Sequence, residues 1–251
     1  MPNRSPLPGE RADLLRAGRI IFQKTDGFKF GLDAVLLADF ARLCPADAVC
    51  DLCAGGGIIP ILLSGRAKRI VGVELQGPYV EMGRRSIAAN DLSDIELIQG
   101  DLREIEALLP ASSFEAVTVN PPYLRAGSGA PSEADEINLA KQELTATIGE
   151  VARAAKWLLT PGGRLFMVHR PERLCDVFCA LRGAGLEPKR VRMVHPAADR
   201  PPTLILIEAR AGGAPGILFE APLVVMENGA ESAEVREIYA GRAGGEAKSC
   251  K

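Results

Sequence analysis

The period of the apolar positions changes near residue 48. Before it the pattern is mixed: residues 1–18 are largely polar, and Arg19-Ile20-Ile21-Phe22-Gln23 and Phe28-Lys29-Phe30 then flank Thr25-Asp26-Gly27, an order that predicts a small hairpin. Residues 34–41 place apolar side chains at helical spacing, with Asp33 near the N-cap. From Ala48 onward short apolar runs alternate with helical stretches. Strands are predicted over 48–52, 69–74, 95–98, 116–119 and 164–169, with helices over 58–66, 78–90, 144–159 and 174–184 between them. Two further strands, 190–195 and 203–208, are joined through Pro196, Pro201 and Pro202, which predicts an antiparallel pair. This alternation defines an α/β chain: a Rossmann-like, seven-stranded, mostly parallel sheet with one antiparallel strand and helices on both faces. Residues 1–44 read as an N-terminal extension, 45–210 as the central domain and 211–251 as a tail. The tail's apolar patch, Pro222-Leu223-Val224-Val225-Met226, fits a strap over the domain's own core better than a dimer contact.

A chain of 251 residues suits one α/β domain with extensions. No apolar run is long enough to span a bilayer, and residues 1–10 lack the apolar core of a signal peptide, so the expected location is the cytoplasm. Of the six cysteines, Cys50, Cys53, Cys175 and Cys179 sit in apolar segments and read as buried thiols. Cys50-Asp51-Leu52-Cys53 has redox or half-zinc spacing. No second cysteine pair or nearby histidine completes a metal site, and none is expected. Charge is uneven. Residues 1–152 carry 15 basic against 21 acidic side chains and residues 153–210 carry 11 against 5, which makes the third quarter a candidate polyanion surface.

The chemistry concentrates where the strand 116–119 delivers Asn120-Pro121-Pro122-Tyr123. An amino group on an sp² carbon has its lone pair delocalised and is a poor nucleophile. Two acceptors on its N–H bonds hold it and draw the nitrogen toward a tetrahedral shape. The Asn120 side-chain oxygen is one such acceptor and the Pro121 carbonyl the natural second. Successive prolines fix φ twice and end strand pairing, so the acceptors are preorganised. Tyr123 adds a flat face for a planar base or amide.

Three carboxylates end successive strands: Asp51, Glu74 and Asp101. Ligands bind at such ends, near the switch in strand order. Glu74 can accept from vicinal ribose hydroxyls and Asp101 from an exocyclic adenine amine. A pocket lined by acids suits a sulfonium cation better than phosphates. The turn Cys53-Ala54-Gly55-Gly56-Gly57 alone does not discriminate, but the dinucleotide pattern read from Gly55 needs a glycine at position 60, where Pro60 stands.

Asp51-Leu52-Cys53-Ala54-Gly55-Gly56-Gly57, Val73-Glu74, Gly100-Asp101 and Asn120-Pro121-Pro122-Tyr123 together resemble class I S-adenosylmethionine-dependent N-methyltransferases. Phe28-Lys29-Phe30-Gly31-Leu32-Asp33, Leu159-Thr160-Pro161-Gly162-Gly163-Arg164 and His169-Arg170-Pro171-Glu172 extend the resemblance, over about residues 15–240, to the family of bacterial tRNA1(Val) adenine-37 N6-methyltransferases. One position departs from the pattern: Cys53 stands where D-x-G-x-G has its first glycine. The resemblance implies S-adenosylmethionine as cofactor, S-adenosylhomocysteine as product, and a class I methyltransferase fold. It implies Asp51, Ala54, Gly55 and Gly57 around the methionine part, Glu74 with Leu75 at the ribose, and Asp101 with Leu102 beside adenine. Asp33 approaches the cofactor from the N-terminal side, and Asn120, Pro121, Pro122 and Tyr123 lie at the target amine.

The resulting expectation is methyl transfer to an exocyclic adenine nitrogen in RNA, with tRNA the expected partner. Arg164, His169, Arg170, Arg173, Lys189, Arg190 and Arg192 would contact the RNA backbone. A protein glutamine amide presents the same NH₂ geometry and is the nearest rival. A non-catalytic RNA-binding module and a nicotinamide-dependent oxidoreductase are the others, the latter disfavoured by Pro60.

Overall fold

The computed structural model describes residues 4–26, 31–121 and 146–241. Two short strands, β1 (Glu10–Leu14) and β2 (Ile20–Lys24), pair antiparallel. Ile20–Lys24 is therefore half of a hairpin with an upstream partner; Phe28-Lys29-Phe30, the partner expected from sequence, lies outside the described residues. β1 has three charged residues in five, and the hairpin is held from outside. Glu10 accepts from Arg85 at 2.6 and 2.7 Å, and Asn90 exchanges hydrogen bonds with the backbone of Ile20.

The chain continues through α1 (Leu32–Phe40), β3 (Ala48–Leu52), α2 (Ile58–Leu63), β4 (Arg69–Glu74), α3 (Gly77–Ala89), β5 (Ile95–Gln99), α4 (Ile105–Leu108) and β6 (Phe114–Val119). After the segment 122–145, outside the described residues, come α5 (Ile148–Leu158), β7 (Leu159–His169), α6 (Leu174–Gly183), β8 (Leu186–Ala197) and β9 (Leu204–Ala211). β10 (Leu218–Phe219), β11 (Leu223–Glu227), β12 (Ala230–Glu231) and α7 (Ala233–Tyr239) complete it. α5 begins at a capping box, in which the Thr147 hydroxyl and the Glu150 carboxylate each accept from the other residue's backbone N–H.

The seven predicted strands lie in the order β5-β4-β3-β6-β7-β9-β8, with β9 antiparallel to both neighbours and the other neighbouring pairs parallel. This is the class I methyltransferase arrangement. β3 and β6 are buried on both faces along most of their length, as their largely apolar runs require. Alternate side chains enter two cores. Val49, Ile70, Ala116 and Phe166 face α1, α2 and α3. Cys50, Val71, Val117 and Met167 face α4, α5 and α6.

The tail is more than a strap. β11 lies parallel to β8, pairing Leu223 with Val194 and Val224 with His195, and so extends the sheet. Leu15 from the N-terminal extension, Ala41 from the end of α1 and Ile238 from the tail share the first core. Arginines bolt the extension down: Arg16 donates to the Leu62 carbonyl at 3.0 Å, Arg19 to those of Ile61 and Ser64, and Arg66 to those of Ala38 and Ala41. These are carbonyls at the C-terminal ends of α1 and α2, where cations are favoured.

Candidate functional site

Strand order reverses between β3 and β6. The chain builds outward through β4 and β5 on one side of this point and through β7 on the other, leaving a crevice at the carboxyl ends. β3 brings Asp51 to it, and β6 brings Asn120 and Pro121.

Asp51 is fully buried. It pairs in register with Thr118, whose hydroxyl donates to Asp51 Oδ1 at 2.6 Å. Asp51 Oδ2 is buried and has no hydrogen-bond partner among the described residues. Burial pushes this carboxyl up to about 8; the nearby Glu74 charge adds to the rise and the Thr118 hydroxyl opposes it. The turn that follows is left-handed at three places: Cys53 at φ +58°, Gly55 at +53° and Gly57 at +81°. Cys53 thus takes the backbone shape that the usual glycine would take, at a cost of about 1–2 kcal/mol for a residue with a Cβ. Its thiol is pushed far up by burial and by Glu74, Asp51 and Asp101, and burial likewise raises Cys50. Neither sulfur is a ready thiolate, which disfavours nucleophilic or redox work at this pair. Cys175 and Cys179, read from sequence as buried, are exposed on α6. Among the described residues no cluster of three or more metal-ligating side chains occurs.

Glu74, at the end of β4, is only 8% exposed. Its two oxygens accept from the Gly55 and Gln76 backbone N–H groups, each at 2.9 Å, which anchors the glycine turn to the second strand. Leu75 beside it is exposed and Leu102 is buried. Asp101 lies after β5, but both its oxygens are taken by Arg103, through its side chain and its backbone N–H at 2.9 Å. The side-chain pairing with Arg103 holds this carboxyl below the usual range. An adenine amine therefore reaches Asp101 only if Arg103 turns aside.

Asn120, half-buried, donates from Nδ2 to Asp33 Oδ2 at 3.1 Å. Asp33 sits in the first turn of α1, whose N-cap is Gly31, and its Oδ1 accepts from the Ala34 N–H at 2.9 Å. Pro121 is buried. Pro122 and Tyr123 lie outside the described residues, as does the stretch 124–136.

The expected basic surface needs correction. Arg164 lies at the amino end of the sheet, donating to Asp47 at 2.7 Å and to the Arg42 carbonyl at 2.6 Å. Arg190 is 5% exposed. It stacks over Phe40 at 3.6 Å from the ring centroid and pairs with Glu208 and Glu220. Arg192 pairs with Glu234 at 2.7 Å. His169 is buried, its Nδ1 accepting from the Arg170 N–H at 2.8 Å, and burial lowers its pKa. These four belong to the internal framework, because acids from other parts of the chain answer each arginine. Lys189 donates to the Ala214 carbonyl, low on β8. Arg170 and Arg173 stand at the carboxyl end of β7, on the rim of the crevice; Arg173 is well exposed and pairs with Asp176 at 2.6 Å. The groove of about 400 Å³ beside Trp157 and Ser112 opens at the amino end of β6 and is separate from this site.

Sequence reasoning did not single out Thr118 or Arg103. The one polar residue in the run 116–119 was the available signal for Thr118; nothing marked Arg103.

The sheet order, the acids at successive strand ends and an asparagine at the switch point define a class I methyltransferase. The methyltransferase small domain model matches residues 31–178. The tRNA1(Val) (adenine(37)-N6)-methyltransferase of Porphyromonas gingivalis is 29% identical over 191 residues, 72% of this chain and 74% of the relative. The 4-amino-L-phenylalanine/4-methylamino-L-phenylalanine methyltransferase of Streptomyces pristinaespiralis is 30% identical over 187 residues, 70% of this chain and 62% of that one. Among solved structures, Atu636 of Agrobacterium tumefaciens, described as a predicted O-methyltransferase, superposes with a TM-score of 0.69 at 24% identity, covering 84% of this chain and 96% of that one. The chain belongs to the methyltransferase small domain family and is an S-adenosylmethionine-dependent methyltransferase. The residues present fit that cofactor. Asp51 Oδ2 is an orphaned acceptor suited to a cation, Glu74 carries fixed acceptor oxygens, and a Cβ at Gly55 would meet nothing within 4 Å, which leaves room over the turn.

Proposed function

We propose that this protein transfers a methyl group to the exocyclic N6 of an adenine in RNA, with tRNA as the RNA class. The observation that carries the reading is Asn120 at the β3–β6 switch point, its amide next to the strand end that bears Asp51. The chemistry supplied by S-adenosylmethionine is an electrophilic methyl group on sulfur. Asp51, the turn 53–57 and Glu74 would hold the cofactor. Asn120 Oδ1 accepts one N–H of the target amine and the Pro121 carbonyl the other. Both hydrogen bonds strengthen as the nitrogen becomes tetrahedral and positive, so they favour the transition state over the ground state. The base leaves its stack to reach this pair, and Tyr123 offers a face for it. Arg170 and Arg173 meet phosphates at the rim.

The names of both relatives support an amine on an aromatic ring as acceptor. The Streptomyces relative also motivates a second reading, a free aryl amine. Purified protein with methyl-labelled S-adenosylmethionine is incubated with RNA, protein and small-molecule fractions from a strain deleted for the gene. Label in N6-methyladenosine after nuclease digestion is expected, lost in Asn120→Ala. Label confined to the small-molecule fraction favours the aryl amine, and label in methylglutamine favours the protein amide. Raising salt is expected to weaken RNA binding steeply while leaving S-adenosylmethionine binding nearly unchanged.

A further inference from the structure

We infer that Asp33 is a positioning residue for the transferase step: through the hydrogen bond from Asn120 Nδ2 to Asp33 Oδ2, it turns the Asn120 amide so that Oδ1 faces the acceptor amine. The inference rests on the reading of Asn120 given above. An asparagine amide has two ends of nearly equal size and opposite function, and only the oxygen can accept from a substrate N–H. A rotation of half a turn would present NH₂ to NH₂ and abolish the contact. A carboxylate accepts and does not donate, so whichever end of the amide faces Asp33 must be the nitrogen. The chemistry of the pair, and not the drawn orientation alone, therefore assigns the amide.

The carboxylate is itself held. Its Oδ1 accepts from the Ala34 N–H at 2.9 Å, while Oδ2 takes the Asn120 donor at 3.1 Å. Asp33 is 9% exposed, on the first turn of a helix whose remaining residues pack into the core. Gly31 gives it room, since a Cβ there would come within 2.6 Å of Asp33 Oδ1. Residues 87 apart in sequence thus meet at one hydrogen bond. The negative partner also polarises the amide: a hydrogen bond accepted by a carboxylate draws charge toward the amide oxygen, making it a stronger acceptor. Among the described residues no donor reaches Asn120 Oδ1.

The alternative role for Asp33 is direct contact with the cofactor, and the two roles separate in measurement. Four proteins are compared: wild type, Asp33→Ala, Asp33→Asn and Asn120→Ala, together with the Asp33→Ala/Asn120→Ala double variant. Turnover is followed on RNA from the deletion strain. S-adenosylhomocysteine and S-adenosylmethionine affinities are measured by calorimetry, and melting temperature reports folding. The expected result for Asp33→Ala is a fall in kcat of about 10- to 100-fold, the range for losing a hydrogen bond to a charged group, with cofactor affinity within about threefold of wild type. Asp33→Asn keeps an acceptor for Asn120 Nδ2 and is expected to recover most of the loss. In the double variant, removal of Asp33 is expected to add no further loss of turnover, because the amide it orients is gone. A loss of cofactor affinity in Asp33→Ala that persists in the double variant, or unchanged kcat, would overturn the positioning role while leaving the reading of Asn120 intact. Full turnover in Asn120→Ala would overturn both.

Discussion

Asp51→Asn replaces a buried carboxyl by a neutral group of nearly the same shape, and its consequences can be worked through. In the folded protein the carboxyl titrates near 8, against an ordinary value of 3.8. Between those two values the folded state keeps the proton that the unfolded state has lost, so the unfolded state binds fewer protons. Wild-type stability from this group is fully present below pH 4, falls by about 1.4 kcal/mol per pH unit as pH rises, and levels off above pH 8. Asparagine has no proton to lose. The variant is therefore expected to match wild type near pH 4 and to exceed it by about 4 kcal/mol at pH 7. For a chain of this length that difference is a melting-temperature gap of about 10 °C. Calorimetric melts of the two ligand-free proteins at unit steps from pH 4 to pH 9 measure it. A gap that does not change with pH, or that widens toward acid, would refute the assignment.

The same carboxyl should report cofactor binding. A sulfonium near Asp51 favours the carboxylate, so S-adenosylmethionine binding at pH 7 is expected to release a proton. Titrations in buffers of different ionisation enthalpy would detect it. S-adenosylhomocysteine lacks the sulfonium charge and should release less, and Asp51→Asn should abolish the difference between the two ligands. Equal proton release by both ligands would show that the sulfonium is not sensed at Asp51.

Other substitutions probe the surroundings. Cys53→Gly relieves the left-handed strain at φ +58° and is expected to stabilise the protein by up to about 1 kcal/mol in urea, whereas Cys53→Val should destabilise it. Iodoacetamide at pH 8 should label the exposed Cys175 and Cys179 well before Cys50 and Cys53, as followed by mass spectrometry of peptides. Arg190→Met takes the arginine partner from Glu208, leaves Glu220 with Arg42 alone and removes the stack on Phe40. It should cost about 3–5 kcal/mol in chemical denaturation and leave RNA affinity, measured at permissive temperature, unchanged. Arg173→Ala should do the reverse, weakening RNA binding in low salt with little change in the melt.

The fold was legible because its strands are nearly pure apolar runs: 48–52 and 116–119 could only be buried, and the turns between strands and helices carry glycine or proline. β1 was not legible, because Glu-Arg-Ala-Asp-Leu has no strand period; its pairing depends on Arg85 and Asn90, about 75 residues away. The basic third quarter misled for a related reason. Counting charge along the chain cannot see that Arg164 meets Asp47, Arg190 meets Glu208 and Glu220, and Arg192 meets Glu234. A local surplus of positive charge is cancelled in space by acids from elsewhere in sequence. Cys175 and Cys179 were misjudged because α6 buries only Val177 and Leu181, and apolar neighbours on a helix do not fix which face a cysteine takes.

The three acids show the limit of motif reading most clearly. Asp51, Glu74 and Asp101 occupy equivalent places at successive strand ends, yet the structure puts them in three electrostatic states. Each Glu74 oxygen accepts one backbone N–H, which fixes the carboxylate while leaving lone pairs on both oxygens. Asp101 is paired with Arg103 through both of its oxygens. Asp51 is the most deeply buried of the three and, among the described residues, has one oxygen without a hydrogen-bond partner. A cation brought beside it gains an interaction that water cannot supply there, and a neutral thioether gains much less. With the sulfonium beside Asp51, as proposed above, the pocket is expected to hold S-adenosylmethionine more firmly than S-adenosylhomocysteine, and an equal affinity for the two would refute that placement.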